Sequence, residues 1–180
     1  MKVIETALPG VLILEPRVFG DERGFFMESW NAKAFADIGI TASFVQDNHS
    51  RSAKNVLRGL HYQIQHPQGK LLRVLQGSVF DVVVDLRRSS PHFGKAISAE
   101  LSSDNKRMIW VPEGFAHGFL VTSDTADVAY KVTDFWVPQF ERSLLWSDPA
   151  LGIGWPSSGK PVLSAKDESA ALLLDAEVFS

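Results

Sequence analysis

Two histidines stand in segments whose neighbours could support acid–base or metal chemistry. His61 lies in the β-like run LRGLHYQ, and His117 follows the turn-forming sequence VPEGFA. Histidine changes its charge near neutral pH and also binds metals, so either residue could be a proton-transfer base or a ligand. A lone histidine in a strand can equally be a packed, hydrogen-bonded ring. The residues around each histidine must decide between these interpretations.

The run that contains His61 also contains an arginine and a glycine. Alternate residues of a strand share a face, which places Arg58 and His61 on opposite faces of a regular strand. Gly59 lies between them, and a glycine inside a strand often marks a β-bulge or a close backbone approach. A bulge at Gly59 would turn Arg58 toward the side of His61. The sequence leaves both arrangements open.

The next segment, KLLRVLQGSVFDVVVDLR, contains two predicted strands that meet at Gln76 and Gly77. If these two residues form a hairpin turn, Lys70 and Asp81 become diagonal neighbours on one face. On a solvated edge such an ion pair contributes little stability. In a cavity, however, buried paired charges are candidates for function.

A third segment, DVAYKVTDFW, places Tyr130 and Trp136 on one strand face by alternation. The chain has only two tyrosines, and the other, Tyr62, lies on the face opposite to His61. A phenolic acid that works across from His61 would therefore be Tyr130. The alternative for both aromatic residues is a place in the core or at its rim.

The bulk composition limits the classes of function. With 180 residues, 45% hydrophobic and 22% charged, the chain is expected to form one domain over residues 1–180. A net charge of −3 gives no reason to expect nucleic acid or an anionic membrane as a partner. Cys is absent, which excludes disulfides and thiolate sites, and no secretory signal is recognisable. We expect a cytoplasmic enzyme.

The elements that must position these residues are mainly strands. Short β-branched and aromatic runs alternate with Gly, Pro, Asn, Asp and Ser, the pattern typical of an all-β sandwich or barrel. Asn31 in NAKAFADIG and Ser164 in SAKDESAALLLDAE predict the starts of two helices, and DPALGIGWPSSGKP predicts a long surface loop. The predicted strands cover residues 11–15, 24–30, 43–49, 56–63, 70–76, 78–86, 96–101, 107–111, 117–122 and 127–132.

The motifs together resemble a known family. GLHYQ, GKLLRVLQG, VPEGFAHGF and YKVTDFW occur in the order that is typical of the dTDP-4-dehydrorhamnose 3,5-epimerase family, and DERGFFMESW, FVQDNHSRS and LSAKD extend the resemblance over nearly the whole chain. This family belongs to the cupin superfamily. The resemblance implies a jelly-roll double-stranded sandwich with a few short helices, including a C-terminal one, and a homodimer.

The wider cupin pattern carries a metal set of three His and one Glu, and this sequence departs from it. His61 and His117 keep two of the histidine positions, but Gln63 replaces the third and Lys70 stands where the Glu is expected. A lysine ammonium repels a divalent metal and cannot be a ligand until it loses its proton. The departure predicts an enzyme with no metal or other cofactor. A cation in the cavity suits stabilisation of an enolate oxygen instead.

The resemblance implies cofactor-independent inversion of C3 and C5, which flank the C4 ketone of dTDP-4-dehydro-6-deoxy-glucose. The product, dTDP-4-dehydro-rhamnose, belongs to dTDP-rhamnose biosynthesis. Inversion needs a base on one face of the carbon and an acid on the other. In the family pattern His61 matches the base, Tyr130 the proton donor, Asp167 the carboxylate that orients the base, and Lys70 the cation beside the enolate.

Further positions match residues of the family that contact the substrate. The resemblance implies that Arg23 and Arg58 bind the diphosphate, because guanidinium groups match phosphate geometry, and that His117 and Asp81 complete the polar wall. At position 136 the family often has Tyr. Because Trp136 has no hydroxyl group, a second possible phenolic acid is absent, which strengthens the assignment of the acid to Tyr130. The other matched contacts, some of them expected to come from the partner subunit, are Phe26, Glu28, Gln46, Asn48, Glu141 and Lys166.

Three other functions are compatible with parts of this pattern. A 3- or 5-monoepimerase or a ketoisomerase of a dTDP-sugar could use the same scaffold and would differ in which carbons exchange protons. A non-catalytic cupin could only bind a sugar nucleotide, but the four residues matched to catalysis argue against it. A metal-dependent oxygenase is disfavoured by Gln63 and Lys70. The expected partners are the dTDP-4-dehydro-6-deoxy-hexose substrate and a second copy of the chain.

Overall fold

The computed structural model describes residues 1–157 and 159–180, and its main strands form two packed β-sheets. The predicted all-β class is confirmed. In chain order the elements are β1 (Lys2–Glu5), β2 (Leu12–Glu15), β3 (Val18–Asp21), β4 (Gly24–Met27), α1 (Ala32–Ala36), β5 (Gln46–Ala53), β6 (Leu57–Gln63), β7 (Lys70–Gln76), β8 (Ser78–Asp85), β9 (Ala96–Ser102), β10 (Met108–Val111), β11 (Phe115–Val121), β12 (Thr125–Val132), β13 (Glu141–Ser143) and α2 (Ala165–Glu168), with 3-10 turns at Pro138–Phe140 and Pro149–Leu151.

The two sheets enclose the main hydrophobic core. A six-stranded sheet has the order β1-β2-β10-β7-β12-β5, and a five-stranded sheet has the order β13-β6-β11-β8-β9. Buried side chains from both layers, among them Val74, Val83, Ile109 and Phe119, pack between them. Strands β3 and β4 form a separate hairpin. Strand alternation therefore directs one face of each sheet into a shared interior.

The outer faces of both sheets are also covered. Phe35 of α1 packs with Leu14 and Met108 on the outside of the six-stranded sheet. Residues near the C-terminus, including Phe179, pack with Leu60 on the outside of the five-stranded sheet. Because both faces of β6 are covered, its alternate residues separate into an outer apolar set and an inner polar set.

A β-bulge in β6 settles the position of Arg58. In the pairing of β6 with β11, His117 is opposite His61 but Phe119 is opposite Arg58, so β6 contains one extra residue. Gly59 has φ +125°, and a Cβ there would lie 2.5 Å from the Gly118 Cα. Only glycine tolerates both the conformation and the contact. The bulge therefore brings Arg58 to the side of His61.

The predicted hairpin between β7 and β8 is wrong. Strand β7 lies between β10 and β12 in one sheet, whereas β8 lies between β11 and β9 in the other. Gly77, with φ +76°, is the point where the chain crosses between layers. A left-handed glycine between two apolar strands fits a crossing as well as a hairpin. Lys70 and Asp81 consequently approach each other from opposite layers and are not diagonal neighbours on one strand pair.

Several element boundaries also differ from the prediction. Strand β4 ends before residue 30, β5 begins and ends later than predicted, and the short strands β1, β3 and β13 were not predicted. The last helix has only four residues, because the chain directly after it pairs with another segment, as in the hydrogen bond from Leu145 N to Ala171 O at 2.8 Å.

The predicted loop over residues 148–161 is irregular apart from one 3-10 turn, and Ser158 within it lies outside the described residues. None of the helices in residues 1–157 and 159–180 has the length and apolar character needed to cross a membrane.

Candidate active site

A cavity of about 340 Å³ is lined by residues from both sheets. Its walls come from β5, β6, β7, β11, β12 and β13, together with the segment that follows β12. This cavity contains most of the positions that the sequence predicted as functional. They are Gln46, Asn48, Arg58, His61, Lys70, His117, Tyr130, Trp136 and Glu141.

His61 and Asp167 form a direct contact at the cavity wall. The His61 Nε2 lies 2.5 Å from Asp167 Oδ1, and 26% of the imidazole but only 4% of the carboxylate is exposed. Burial acts to raise the pKa of Asp167, but His61, Ser164 and Lys166 outweigh it and hold that pKa below its usual value. The carboxylate therefore stays charged beside the ring that faces the cavity.

Helix α2 supplies the backbone position from which Asp167 reaches β6. The Ser164 hydroxyl oxygen accepts a hydrogen bond from the Asp167 backbone N–H at 3.2 Å, which caps the helix as predicted. The same residue thus occupies a first-turn position that favours a negative charge and contacts a histidine 106 residues earlier.

Lys70 presents a buried ammonium group to the same cavity. Its Nζ donates a hydrogen bond to the carbonyl oxygen of His61 at 3.2 Å. Burial lowers the pKa of Lys70 to about 8, although Glu141 and Asp81 act to raise it. A cation that is poorly solvated and only partly paired interacts strongly with any negative charge that develops nearby.

His117 and Asp81 form a second histidine–carboxylate pair, deeper than the first. The His117 Nε2 lies 3.0 and 2.9 Å from the two carboxylate oxygens of Asp81. Asp81 is fully buried, and burial raises its pKa although His117 and Lys70 act to lower it. Since His117 pairs in register with His61, the two imidazoles occupy neighbouring positions on one sheet.

Tyr130 reaches the cavity from the opposite layer. It lies on β12 of the six-stranded sheet, whereas His61 lies on β6 of the five-stranded sheet. Burial raises the pKa of Tyr130, Arg58 acts to lower it, and Glu141 acts to raise it. The phenol thus retains its proton at neutral pH. By contrast, the Tyr62 hydroxyl donates to the Glu177 carbonyl oxygen at 2.5 Å, among the residues that cover the outer face.

Charged groups also stand at the edge of the cavity. The Arg58 Nε donates to the Ser52 hydroxyl oxygen at 2.9 Å. The Lys166 Nζ lies 2.8 Å from Glu141 Oε1, and this lysine precedes Asp167 on α2. The cavity edge therefore has two cations that can bind an anionic ligand, one held by a hydroxyl group and the other by a carboxylate.

Three predicted binding residues neither line the cavity nor form a hydrogen bond or ion pair with a residue that does. Arg23 is 84% exposed in its side chain and pairs with Asp21 at 2.5 Å. Phe26 is 67% exposed on the same hairpin. The Glu28 Oε1 accepts a hydrogen bond from Asn31 Nδ2 at 3.0 Å. A single chain does not bring these residues to His61.

Some residues of the cavity wall were not singled out as binding residues from the sequence. Ser50 lines the cavity, and its position two residues after Asn48 on the same strand face could have indicated it. Gln68 has no such signal, because it lies in an irregular segment. Gln63 was recognised only as a departure from the metal motif, although its amide makes three hydrogen bonds to backbone groups.

Among the described residues, no group of three or more His, Asp or Glu side chains is arranged to hold a metal ion. His61 and His117 are each engaged by a carboxylate, the Lys70 ammonium donates to the His61 carbonyl oxygen, and the Gln63 amide is hydrogen-bonded to backbone groups. This set of donors is a poor match for a divalent metal.

Comparisons with known proteins agree on one family. The family model described as dTDP-4-dehydrorhamnose 3,5-epimerase matches residues 5–175. The chain is 56% identical over 180 residues to the dTDP-4-dehydrorhamnose 3,5-epimerase of Pseudomonas aeruginosa, with 99% of each chain covered. It is 58% identical over 175 residues to that of Salmonella typhimurium, with 96% of each covered.

The fold agrees as well. The crystal structure of dTDP-6-deoxy-D-glucose-3,5-epimerase from Legionella pneumophila in complex with dTDP-4-keto-L-rhamnose matches with a TM-score of 0.96 and 52% identity. The match covers 98% of this chain and 94% of that one. The predicted cupin jelly roll is thereby confirmed.

Proposed function

The chain belongs to the dTDP-4-dehydrorhamnose 3,5-epimerase family, and we propose that it performs the family's reaction with its own His61, Tyr130 and Lys70. The substrate is dTDP-4-dehydro-6-deoxy-glucose, and inversion of C3 and C5 gives dTDP-4-dehydro-rhamnose for rhamnose synthesis. One observation carries the assignment of roles: His61 and Tyr130 enter the same cavity from opposite layers. A sugar ring between them has a base on one face and an acid on the other.

The first step is removal of a proton from the carbon beside the ketone. Neutral His61 takes the proton and becomes an imidazolium, while the electron pair of the C–H bond moves toward the C4 oxygen. The 2.5 Å contact with Asp167 supports this role, because a buried carboxylate fixes the ring and stabilises its charged form. Asp167 is therefore a positioning residue.

The negative charge that develops on the C4 oxygen needs a cation. Lys70 is buried in the cavity and hydrogen-bonded to the backbone of His61, so its ammonium is held near the base. The His117–Asp81 pair lies beside it and can add a further donor. Preorganised donors of this kind contribute about a hundredfold to a thousandfold each to rate in enzymes that form oxyanions.

Inversion is completed from the other side of the ring. Tyr130 donates its phenolic proton to the carbanion face opposite His61, and the enolate becomes a ketone again. Exchange with water then restores the proton on Tyr130 and removes the one on His61. The raised pKa of Tyr130 supports this role, since the phenol remains protonated until the carbanion forms.

The nucleotide diphosphate requires cations that the catalytic steps do not use. We propose that Arg58 and Lys166 bind it from within the chain, since Arg58 lines the cavity and Lys166 pairs with Glu141 of the cavity wall. Arg23, Phe26 and Glu28 stand on or beside the β3–β4 hairpin, away from the cavity of their own chain. We propose that in a homodimer they complete the cavity of the partner. The exposed Phe19, Phe25 and Phe26 support such an interface.

We further propose that residues 1–180 form one cupin-type epimerase domain, because the family model spans 5–175. A cytoplasmic location is part of the same proposal. The substrate's charged diphosphate does not cross a bilayer unaided, which favours the compartment in which the nucleotide is made.

The test is conversion of dTDP-4-dehydro-6-deoxy-glucose followed by NMR. The wild-type protein should form dTDP-4-dehydro-rhamnose, and His61→Asn should not. Treatment with EDTA should leave the rate unchanged, because the cavity offers an ammonium and an amide where a metal would need anionic or imidazole ligands. Absence of conversion by the wild type would refute the proposed activity, and loss of activity on chelation would return a metal to the mechanism.

A further inference from the structure

One buried glutamine side chain joins two irregular segments at the cavity. Gln63 is 3% exposed. Its Nε2 donates to the His66 carbonyl oxygen at 2.6 Å and to the Phe135 carbonyl oxygen at 3.1 Å. Its Oε1 accepts from the Val137 backbone N–H at 2.7 Å. Both donors of the amide and one acceptor position are therefore used on backbone groups.

The segment that Gln63 holds carries an aromatic side chain of the cavity wall. Residues 133–137, which we call the lip segment, follow β12 and belong to neither a strand nor a helix. Trp136 lines the cavity, although 55% of the residue is exposed. An exposed side chain packs against little, so its position depends on the backbone beneath it.

Each residue of the lip segment has a hydrogen bond that could fix it. The Gln68 Nε2 donates to the Asp134 carbonyl oxygen at 2.8 Å, and the Gly69 N–H donates to the Thr133 hydroxyl oxygen at 2.8 Å. The Trp136 N–H donates to Gln46 Oε1 at 3.3 Å, which is the longest of these bonds. Gln63 therefore holds Phe135 and Val137, the two neighbours of Trp136. The backbone bond of Trp136 itself is the longest in the segment.

The chemistry of the amide fits this task better than a carboxylate or a histidine would. Holding the lip segment requires two donors and one acceptor on one side chain. A carboxylate has no donor, and a neutral imidazole has only one. The residue that breaks the metal motif is thus matched to a different task.

We propose that Gln63 is a positioning residue that fixes the lip segment and thereby places the Trp136 indole against the bound sugar nucleotide. The proposal rests on the proposed function for its kinetic consequence, but not for its structural one. Without Gln63 the backbone loses the hydrogen bonds at Phe135 and Val137. The long bond from Trp136 to Gln46 alone then does not hold the indole as a fixed wall beside His61 and Tyr130.

The direct test observes Trp136 itself. The chain has five tryptophans, so protein labelled with 5-fluorotryptophan gives a small set of ¹⁹F signals, and Trp136→Ala identifies the signal of residue 136 by its loss. In Gln63→Ala and in the near-isosteric Gln63→Glu that signal should shift or narrow while the others stay in place. Gln65→Ala is the matched control, because Gln65 is exposed and has no side-chain hydrogen bond among the described residues.

A kinetic cycle tests the consequence for the reaction. Gln63→Ala and Trp136→Ala should each lower kcat/KM by about tenfold or more. The double variant should be no worse than the poorer single variant, because both changes remove the same wall. Losses that multiply would contradict the proposal, as would an unchanged ¹⁹F signal of residue 136 in both Gln63 variants.

The two readouts separate failure of this inference from failure of the proposed activity. A wild-type protein without epimerase activity would refute the activity alone, and the ¹⁹F comparison would still decide the role of Gln63. If Gln63→Ala does not fold, Gln63→Glu is used in the cycle, since it keeps the side-chain volume and replaces the two N–H donors by a carboxyl oxygen.

Discussion

His61 illustrates how far a single residue can be interpreted from its neighbours in sequence. The motif predicted a base with a nearby cation, and the structure places the Lys70 Nζ 3.2 Å from the His61 carbonyl oxygen. The partner of the imidazole is Asp167, 106 residues away. Only the family pattern could connect these two, because nothing in strand alternation or helix capping relates residues so far apart.

Tyr130 offers the sharpest test at the scale of one residue. Tyr130→Phe should slow epimerisation by about a hundredfold or more, since the acid is lost. Proton exchange with solvent should fall less, because His61 can still remove a proton and return it to the same face. Both rates are measurable by NMR with dTDP-4-dehydro-6-deoxy-glucose in heavy water.

The other tyrosine provides a matched control for that experiment. The Tyr62 hydroxyl is bonded to the Glu177 carbonyl oxygen among the residues that cover the outer face, so Tyr62→Phe should keep the catalytic rate. An equal fall in exchange and epimerisation in Tyr130→Phe would mean that Tyr130 is not the opposed acid.

Lys70 predicts how activity depends on pH. Burial lowers its pKa to about 8 from an ordinary value of 10.5. In the folded protein the ammonium is present below pH 8 and is lost as the pH rises through that value. We therefore expect kcat/KM to fall by about tenfold for each unit above pH 8. A rate that stays constant to pH 10 would show that the charge on Lys70 is not needed.

The same lowered pKa of Lys70 predicts that the stability of the fold rises with pH over the range in which activity falls. Between pH 8 and 10.5 the unfolded lysine keeps the proton that the folded one has lost. The unfolded state then binds more protons, so this residue makes folding more favourable as the pH rises. Denaturant unfolding measured at each pH thus distinguishes loss of the enolate-stabilising charge from loss of the fold.

At the scale of elements, the bulge in β6 positions both Arg58 and His61. The glycine in the strand indicated a bulge, but alternation alone placed these residues on opposite faces. The hairpin at Gly77 was predicted wrongly for a related reason. A glycine with positive φ permits a turn within a sheet or a crossing between sheets, and only packing of the whole sandwich decides between them.

Gly59→Ala tests the importance of the bulge. The new Cβ would lie 2.5 Å from the Gly118 Cα and 2.9 Å from the His117 carbonyl oxygen. Backbone must move to relieve these contacts, and the positive φ adds strain. We expect the free energy of unfolding, measured with denaturant, to fall by at least about 2 kcal/mol.

Gly154→Ala is the matched control for this change, because a Cβ at Gly154 meets nothing within 4 Å. It should unfold like the wild type. A Gly59→Ala protein with wild-type stability would show that the strands can separate at the bulge without cost.

At the scale of the whole molecule, the resemblance predicted a larger set of site residues than a single chain brings to its cavity. Nine of the predicted residues line the cavity, while Asp81, Asp167 and Lys166 contact residues that do. Arg23, Phe26 and Glu28 lie elsewhere, on or beside an exposed hairpin. Strand patterns describe one chain, so no pattern could show whether these residues act in the cavity of a second subunit.

Subunit complementation tests the proposed exchange between chains. Arg23→Ala and His61→Asn should each be inactive or strongly impaired as homodimers. A mixed dimer, isolated with two different affinity tags, should regain one intact cavity that combines His61 of one subunit with Arg23 of the other. Its activity should approach half that of the wild-type dimer. A mixed dimer without activity would place both residues in the same chain's site, and a protein that stays monomeric would refute the dimer.

We propose that one base, His61, removes the protons at both carbons beside the ketone. The most direct measurement is incubation of wild-type protein and His61→Ala with dTDP-4-dehydro-6-deoxy-glucose in heavy water, with deuterium followed by NMR. We predict label at both C3 and C5 with the wild type and at neither carbon with the variant. Label at only one carbon would contradict 3,5-epimerisation, and exchange that survives in His61→Ala would show that another group is the base.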